Sequence, residues 1–237
     1  MFKPMKTIML VCILMGFASA TLAIEPAELD NRVRTLTAKF EAFQQQPGKG
    51  IPAETLRAAH GIILLDRTKA GFLFAYQGGG GVAMVKDPTT QAWSPVAFLG
   101  ASEASLGFQI GGEQDFYVIL LMTPDAANAL TNPNIEFGGE ARGTAAGSSG
   151  GVEGKLPNAE QPVLVYADHE GLYGGAVIKG GAISPDDKDN RTYYGQYVSM
   201  RDVLFDHKVQ PTGAASSLAN VINSYSQDQE RSKTAAK

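Results

Sequence analysis

Gly147-Ser148-Ser149-Gly150-Gly151 formally matches G-x-S-x-G, the turn that lifts a nucleophilic serine out of a sheet in many hydrolases. That chemistry needs a buried apolar strand before the serine and a helix after it. Here Arg142-Gly143-Thr144-Ala145-Ala146 precedes and Glu153-Gly154-Lys155 follows, and neither fits. The downstream Asp168 and His169 are adjacent, a poor arrangement for acid and base in one relay. His60, His169 and His207 are scattered, without metal-ligand spacing. Asp186, Asp187, Asp189 and Asn190 carry oxygens suited to Ca²⁺, but the EF-hand spacing and its closing glutamate are missing, so a solvated polar turn is expected. The quartet Gly78 to Gly81 offers backbone N–H groups to phosphate, but no Lys-Ser/Thr follows it as in a P-loop. No enzyme, metal site or cofactor is expected.

The glycines have a structural reading instead. The chain of 237 residues holds 27 of them, most between Gly61 and Gly195, and they interrupt short apolar runs without any G-X-Y period. Glycine in a strand marks a bulge, a bend or a close approach of backbones. Strands bent at such points curl a sheet toward closure. The expected fold is therefore α+β: a strongly curved antiparallel sheet or partial barrel, with flanking N- and C-terminal helices.

Those helices are legible from periodicity. Leu29, Val33, Leu36, Phe40 and Phe43 form one apolar stripe between Pro26 and Gln46, ended by Pro47-Gly48. A short helix is expected over 52–59, another over 124–130 capped by Thr123, one from Ser199 to Phe205, and a last one over 211–225. Strands are expected at 61–65, twice within 71–86, at 93–99, 105–110, 116–122, 163–167 and 172–179, with the start of a glycine-rich segment, 135–141, as an edge strand. Arg67-Thr68-Lys69 reads as a turn entering the sheet, and 186–190 as a polar turn.

Hydrophobic content of 44% with 19% charged residues is ordinary for a globular chain and excludes global disorder. Lys3 and Lys6 precede an apolar run to Phe17, and small residues offer cleavage after Ala20 or Ala23, the pattern of a secretory signal. Residues 1–23 are thus expected to be a signal peptide, and 227–237 a flexible polar tail. Its removal takes away the only cysteine, Cys12, and two basic residues, leaving a more acidic protein without thiol chemistry. The formal charge of −4 for the whole chain already argues against a nucleic-acid partner. The expected location is exported, periplasmic or extracellular.

In order, Gly71 to Val85, Trp93-Ser94-Pro95, Ser105 to Glu113, Gly171 to Gly181 and Tyr193-Tyr194-Gly195 resemble the SYLF-domain family, and with the flanking helices the resemblance covers nearly all of residues 24–226. It implies a non-enzymatic module of the bacterial exported type that binds anionic phospholipid, phosphoinositide-like or another acidic headgroup, as a peripheral protein at an envelope membrane. Eukaryotic relatives of such domains act beside SH3 domains and actin. This chain departs from the family's pattern after Gly147, where Ser148-Ser149-Gly150-Gly151 stands and no arginine follows. The alternative is a structural or protein-interaction domain without direct lipid binding, and protein partners are unknown. Headgroup phosphate wants Arg or Lys. The candidate lipid-binding residues are Arg32, Arg34 and Lys39 on the first helix, Lys49 just after it, and Arg67 and Lys69, which would gather into one patch if the helix packs beside that turn.

Overall fold

The computed structural model describes residues 25–70, 76–102, 115–133, 162–167, 171–173 and 183–235. Helix α1 (Pro26–Gln44) begins with proline in its first turn, where no intrahelical N–H is lost, and buries Leu29, Val33, Leu36, Phe40 and Phe43, the expected stripe. Helix α2 (Ala53–Ala58) follows Pro52. Strands β1 (Gly61–Ala70), β2 (Tyr76–Val85), β3 (Ala97–Ser102) and β4 (Asp115–Leu121) come next. Helix α3 (Pro124–Asn128) is capped by the Thr123 hydroxyl, which accepts from the Ala126 N–H at 3.1 Å. Strands β5 (Val163–Ala167), β6 (Gly171–Tyr173) and β7 (Ile183–Pro185) precede helices α4 (Asp187–Tyr194), α5 (Met200–Leu204) and α6 (Gly213–Ala235).

The strands form one antiparallel sheet in the order β6-β5-β4-β1-β2-β3-β7. Strand alternation sends Ile62, Leu64, Val82, Met84, Phe98, Val118 and Leu120 to one face, where α1, α2 and α6 cover them. Ile63, Leu65, Ala83, Leu99, Ile119 and Leu121 go to the other, under α3 and α5. The result is three layers with an apolar core on each side of the sheet.

The expectation of a strongly curved sheet or partial barrel is therefore corrected. Among the described residues the sheet is open, ending in β6 and β7, which do not pair with each other. The β1–β2 ladder runs unbroken from Gly61↔Val85 to Ala70↔Tyr76, straight through Gly78 to Gly81 without a bulge. At Gly81 the glycine supplies clearance rather than bending. A Cβ on Gly81 would lie 2.6 Å from the Leu64 carbonyl oxygen, and one on Gly80 would meet the Arg32 guanidinium at 3.4 Å.

Two local expectations also change. Arg67-Thr68-Lys69 is not a turn but the outer part of β1, with Arg67 opposite both Gly79 and Asp115. The polar stretch 186–190 opens α4: Asp186 accepts from the Asp189 N–H at 2.9 Å, and Asp189 and Asn190 are buried. Acidic residues suit a first helical turn, which is why the segment is helical despite its polarity. Within 93–99 only the stretch from Ala97 is strand. Ser94 bonds back to Val85 through both its backbone and its hydroxyl, and the Trp93 indole N–H donates to Asn223 Oδ1 at 3.0 Å, tying the end of β2 to α6. The signal-peptide segment, the strand expected at 105–110, the glycine-rich 135–155 with its G-x-S-x-G match, and His169 lie outside the described residues.

Candidate functional site

Three of the six candidate cations sit on α1, and the fold gives each a carboxylate. Arg32 and Lys39 are seven residues apart, two helical turns, so both meet the sheet. Lys39 Nζ lies 2.6 Å from Asp66 Oδ2 on β1. Arg32 crosses Gly80 on β2 and stands 5.8 Å above the Phe98 ring, with its Nη1 donating to Asp189 Oδ2 at 2.6 Å. Asp66 and Gly80 are cross-strand partners, so the two cations straddle one rung of the β1–β2 ladder. Arg34, on the outer side of α1, pairs with Asp30 one turn earlier at 2.9 Å and is 59% exposed.

The remaining candidates are placed less completely. Lys49 is exposed in the turn after α1, and its backbone N–H donates to the Gln46 carbonyl at 3.2 Å. Arg67 and Lys69 are fixed in register on β1, one and three residues beyond Asp66; their side chains lie outside the described ones. Helix α1 thus does run against β1 next to Arg67. The described part of the group is an alternation of cations and carboxylates rather than a purely positive patch.

The acidic members are what the sequence reading missed. Asp189 is 6% exposed, and burial, followed by the nearby Asp186, pushes its carboxyl above the ordinary range, even though the Arg32 guanidinium pulls it the other way. Next to it, Asn190 is fully buried and clasps one residue of β3: its Oδ1 accepts from the Phe98 N–H at 2.7 Å, and its Nδ2 donates to the Phe98 carbonyl at 3.3 Å. Strand β7 pairs only with Leu99 to Ala101, so Asn190 extends that edge by one residue. Tyr193, one turn after Asp189, donates to Asp30 Oδ1 at 3.2 Å and shares a short hydrogen bond with Thr212; burial pushes its phenol up to about 12. Tyr194 donates to the Val96 carbonyl at 2.5 Å. The findable signal was Asp186 followed three residues later by Asp189, an N-cap pattern in a stretch that reads as loop.

Among the described residues no three His, Cys, Asp or Glu side chains gather where a metal ion could sit. None of the described helices is long and apolar enough to cross a membrane.

Residues 102–225 match the family Ysc84, described as "Las17-binding protein actin regulator". The SH3 domain-containing YSC84-like protein 1 of Rattus norvegicus is 30% identical over 186 residues, covering 78% of this chain and 54% of the relative. Its Homo sapiens counterpart is 28% identical over the same shares. The LAS seventeen-binding protein 3 of Saccharomyces cerevisiae is 31% identical over 188 residues, 73% of this chain and 38% of the relative. The chain spans about half the length of the animal relatives it matches.

These relatives correct four expectations. They are eukaryotic, so the resemblance is not to a bacterial exported type. The exported, periplasmic or extracellular location read from the N-terminal signal pattern is likewise corrected by these eukaryotic relatives, as is the description of the chain as a secreted protein with a signal peptide. Protein partners, expected to be unknown, are indicated by name among the relatives, since the yeast protein is called Las17-binding. The expectation of a non-enzyme stands, because the family is described as a regulator of actin rather than by a reaction.

Proposed function

The chain belongs to the Ysc84 family, and from that premise we propose that it binds anionic phospholipid at a membrane surface without catalysing a reaction. The surface is the group formed by Arg32, Arg34, Lys39, Lys49, Arg67 and Lys69. The observation that carries this reading is the 2.6 Å contact between Lys39 Nζ and Asp66 Oδ2, which holds the cation-bearing helix against the strand that continues into Arg67 and Lys69. Phosphate oxygens compete for these cations with the carboxylates that now hold them, so binding is expected to be modest and to weaken with salt.

Flotation with phosphatidylserine-rich vesicles, against pure phosphatidylcholine, tests the reading. Binding to the first that falls with added salt and is lost on joint Arg67→Glu and Lys69→Glu substitution supports it. Salt-insensitive binding that both substitutions leave unchanged counts against this group.

A second reading has its own support. The yeast relative is named for binding Las17, and a folded core offering side chains from several elements suits a protein-interaction module as well. Stoichiometric capture of a protein partner together with indifference to every vesicle would favour it.

A further inference from the structure

Helix α4 turns Asp189 and Tyr193 toward α1, where they meet Arg32 and Asp30. Arg191, two residues from each, falls on the opposite side of the helix and is exposed. Its guanidinium lies 4.9 Å from the centre of the Tyr197 ring. Tyr197 is 76% exposed, the one large apolar side chain so exposed among the described residues. Its backbone is held at both ends: Gly195 closes α4 with φ +64°, and Ser199 opens α5 with a capping box to Asp202. Four residues beyond Tyr197, within about 14 Å of chain even if fully extended, exposed Arg201 stacks on Phe205 at 5.6 Å.

Unlike Arg32 and Arg34, these two arginines have no carboxylate partner among the described residues. Asp202 is already taken by Lys208 at 2.5 Å, and Asp206 lies 3.9 Å from the same ammonium; Asp186, which caps α4, and exposed Asp187 are the acidic side chains left to oppose them in this stretch. An arginine stacked on an aromatic ring keeps its N–H fork free for a phosphate diester. A tyrosine whose apolar body and polar tip are both exposed suits the headgroup depth of a bilayer. A loop tied at both ends to capped helices pays less ordering entropy when it docks than a free segment would.

We propose that Arg191, Tyr197 and Arg201 form the surface on which this protein first seats on an anionic bilayer, Tyr197 entering the headgroup layer and the two arginines contacting lipid phosphates. The proposal rests on the phospholipid-binding reading above and adds to it a first point of contact on a different surface, whose two arginines have no carboxylate partner among the described residues.

The test is co-sedimentation of the full chain and of Arg191→Gln, Arg201→Gln and Tyr197→Ala with phosphatidylserine-rich vesicles. Circular dichroism of each variant checks the fold, which substitutions at these exposed positions leave intact. Each arginine substitution is expected to weaken binding about fivefold, and Tyr197→Ala at least as much. In a Tyr197→Trp variant, brominated phosphatidylserine should quench fluorescence beyond the quenching of the wild-type chain. Wild-type binding that the three substitutions leave unchanged, with no added quenching at position 197, overturns this surface while the lipid reading survives. A folded wild-type chain that ignores all vesicles overturns both. Loss of a protein partner in Tyr197→Ala, with vesicle binding unaltered, reassigns the surface to that partner and overturns the proposal as well.

Discussion

Arg32 Nη1 and Asp189 Oδ2 lie 2.6 Å apart, although 157 residues separate them along the chain. The bond joins α1 to α4 over the glycine side of β2. It is part-buried, with the Arg32 side chain 30% exposed and that of Asp189 only 8%. Truncating the arginine leaves a carboxylate with little water around it. Arg32→Ala should therefore cost about 2 kcal/mol, discounted from the larger penalty of a fully buried pair because the arginine keeps partial access to water. Urea unfolding of the two proteins measures it.

The same carboxylate predicts a pH effect. Its pKa is raised in the folded protein, so in the window just above the ordinary carboxylate range the native state binds more protons than the unfolded one. Its contribution to stability should therefore decline as pH rises through that window. Asp189→Asn removes this slope, and urea midpoints across mildly acidic pH should show a flatter profile for the variant than for the wild-type chain.

Asn190 predicts a second stability loss of a different kind. Both Phe98 backbone groups bond to its amide, and both residues are buried. Asn190→Leu strands an N–H and gives the carbonyl one partner fewer, at a cost of about 2–4 kcal/mol. The Phe98 carbonyl still accepts from the Asp186 N–H at 3.0 Å, so amide exchange should accelerate most at the Phe98 N–H itself. Protection there equal to that of the wild-type chain would refute the clasp.

Adjacent glycines on β2 should respond differently to alanine. At Gly81 the new methyl meets backbone, the Leu64 carbonyl at 2.6 Å, and the strand must shift. At Gly80 it meets the side chain of Arg32 at 3.4 Å. Gly81→Ala is expected to cost about 2–3 kcal/mol and Gly80→Ala less than about 1 kcal/mol, read from thermal midpoints. Equal losses at both would mean that backbone clearance is not why β2 carries glycine.

At the start of α5 the Ser199 hydroxyl accepts from the Asp202 N–H while Asp202 accepts from the Ser199 N–H at 2.9 Å. Ser199→Ala should cost about 1 kcal/mol. The Lys208 ammonium, then the Ser199 bonds, hold the Asp202 carboxyl well below its usual range. Its contribution is therefore present above the ordinary carboxylate pKa and lost as pH falls, the opposite sign to Asp189. Acid titration of Asp202→Asn should lack that loss.

The amino-acid sequence by itself determined the elements whose partners are local. The stripe Leu29, Val33, Leu36, Phe40 and Phe43, the Thr123 and Ser199 caps, strand β5 and the α+β class were all legible, because helical period, capping and apolar runs are properties of neighbouring residues. Tertiary structure decided what the glycines and the cations are for. Gly81 makes room for the Leu64 backbone, and the β1–β2 ladder runs unbroken in an open sheet where spacing alone suggested curvature. Arg32 and Lys39 looked like free positive charge because Asp189 and Asp66 are remote in sequence, and only packing α1 across the sheet brings each carboxylate within 2.6 Å. Arg191 and Tyr197, unremarkable in the sequence, acquire their pairing from the opposite cause: α4 spends its other side on α1 and leaves this one to solvent.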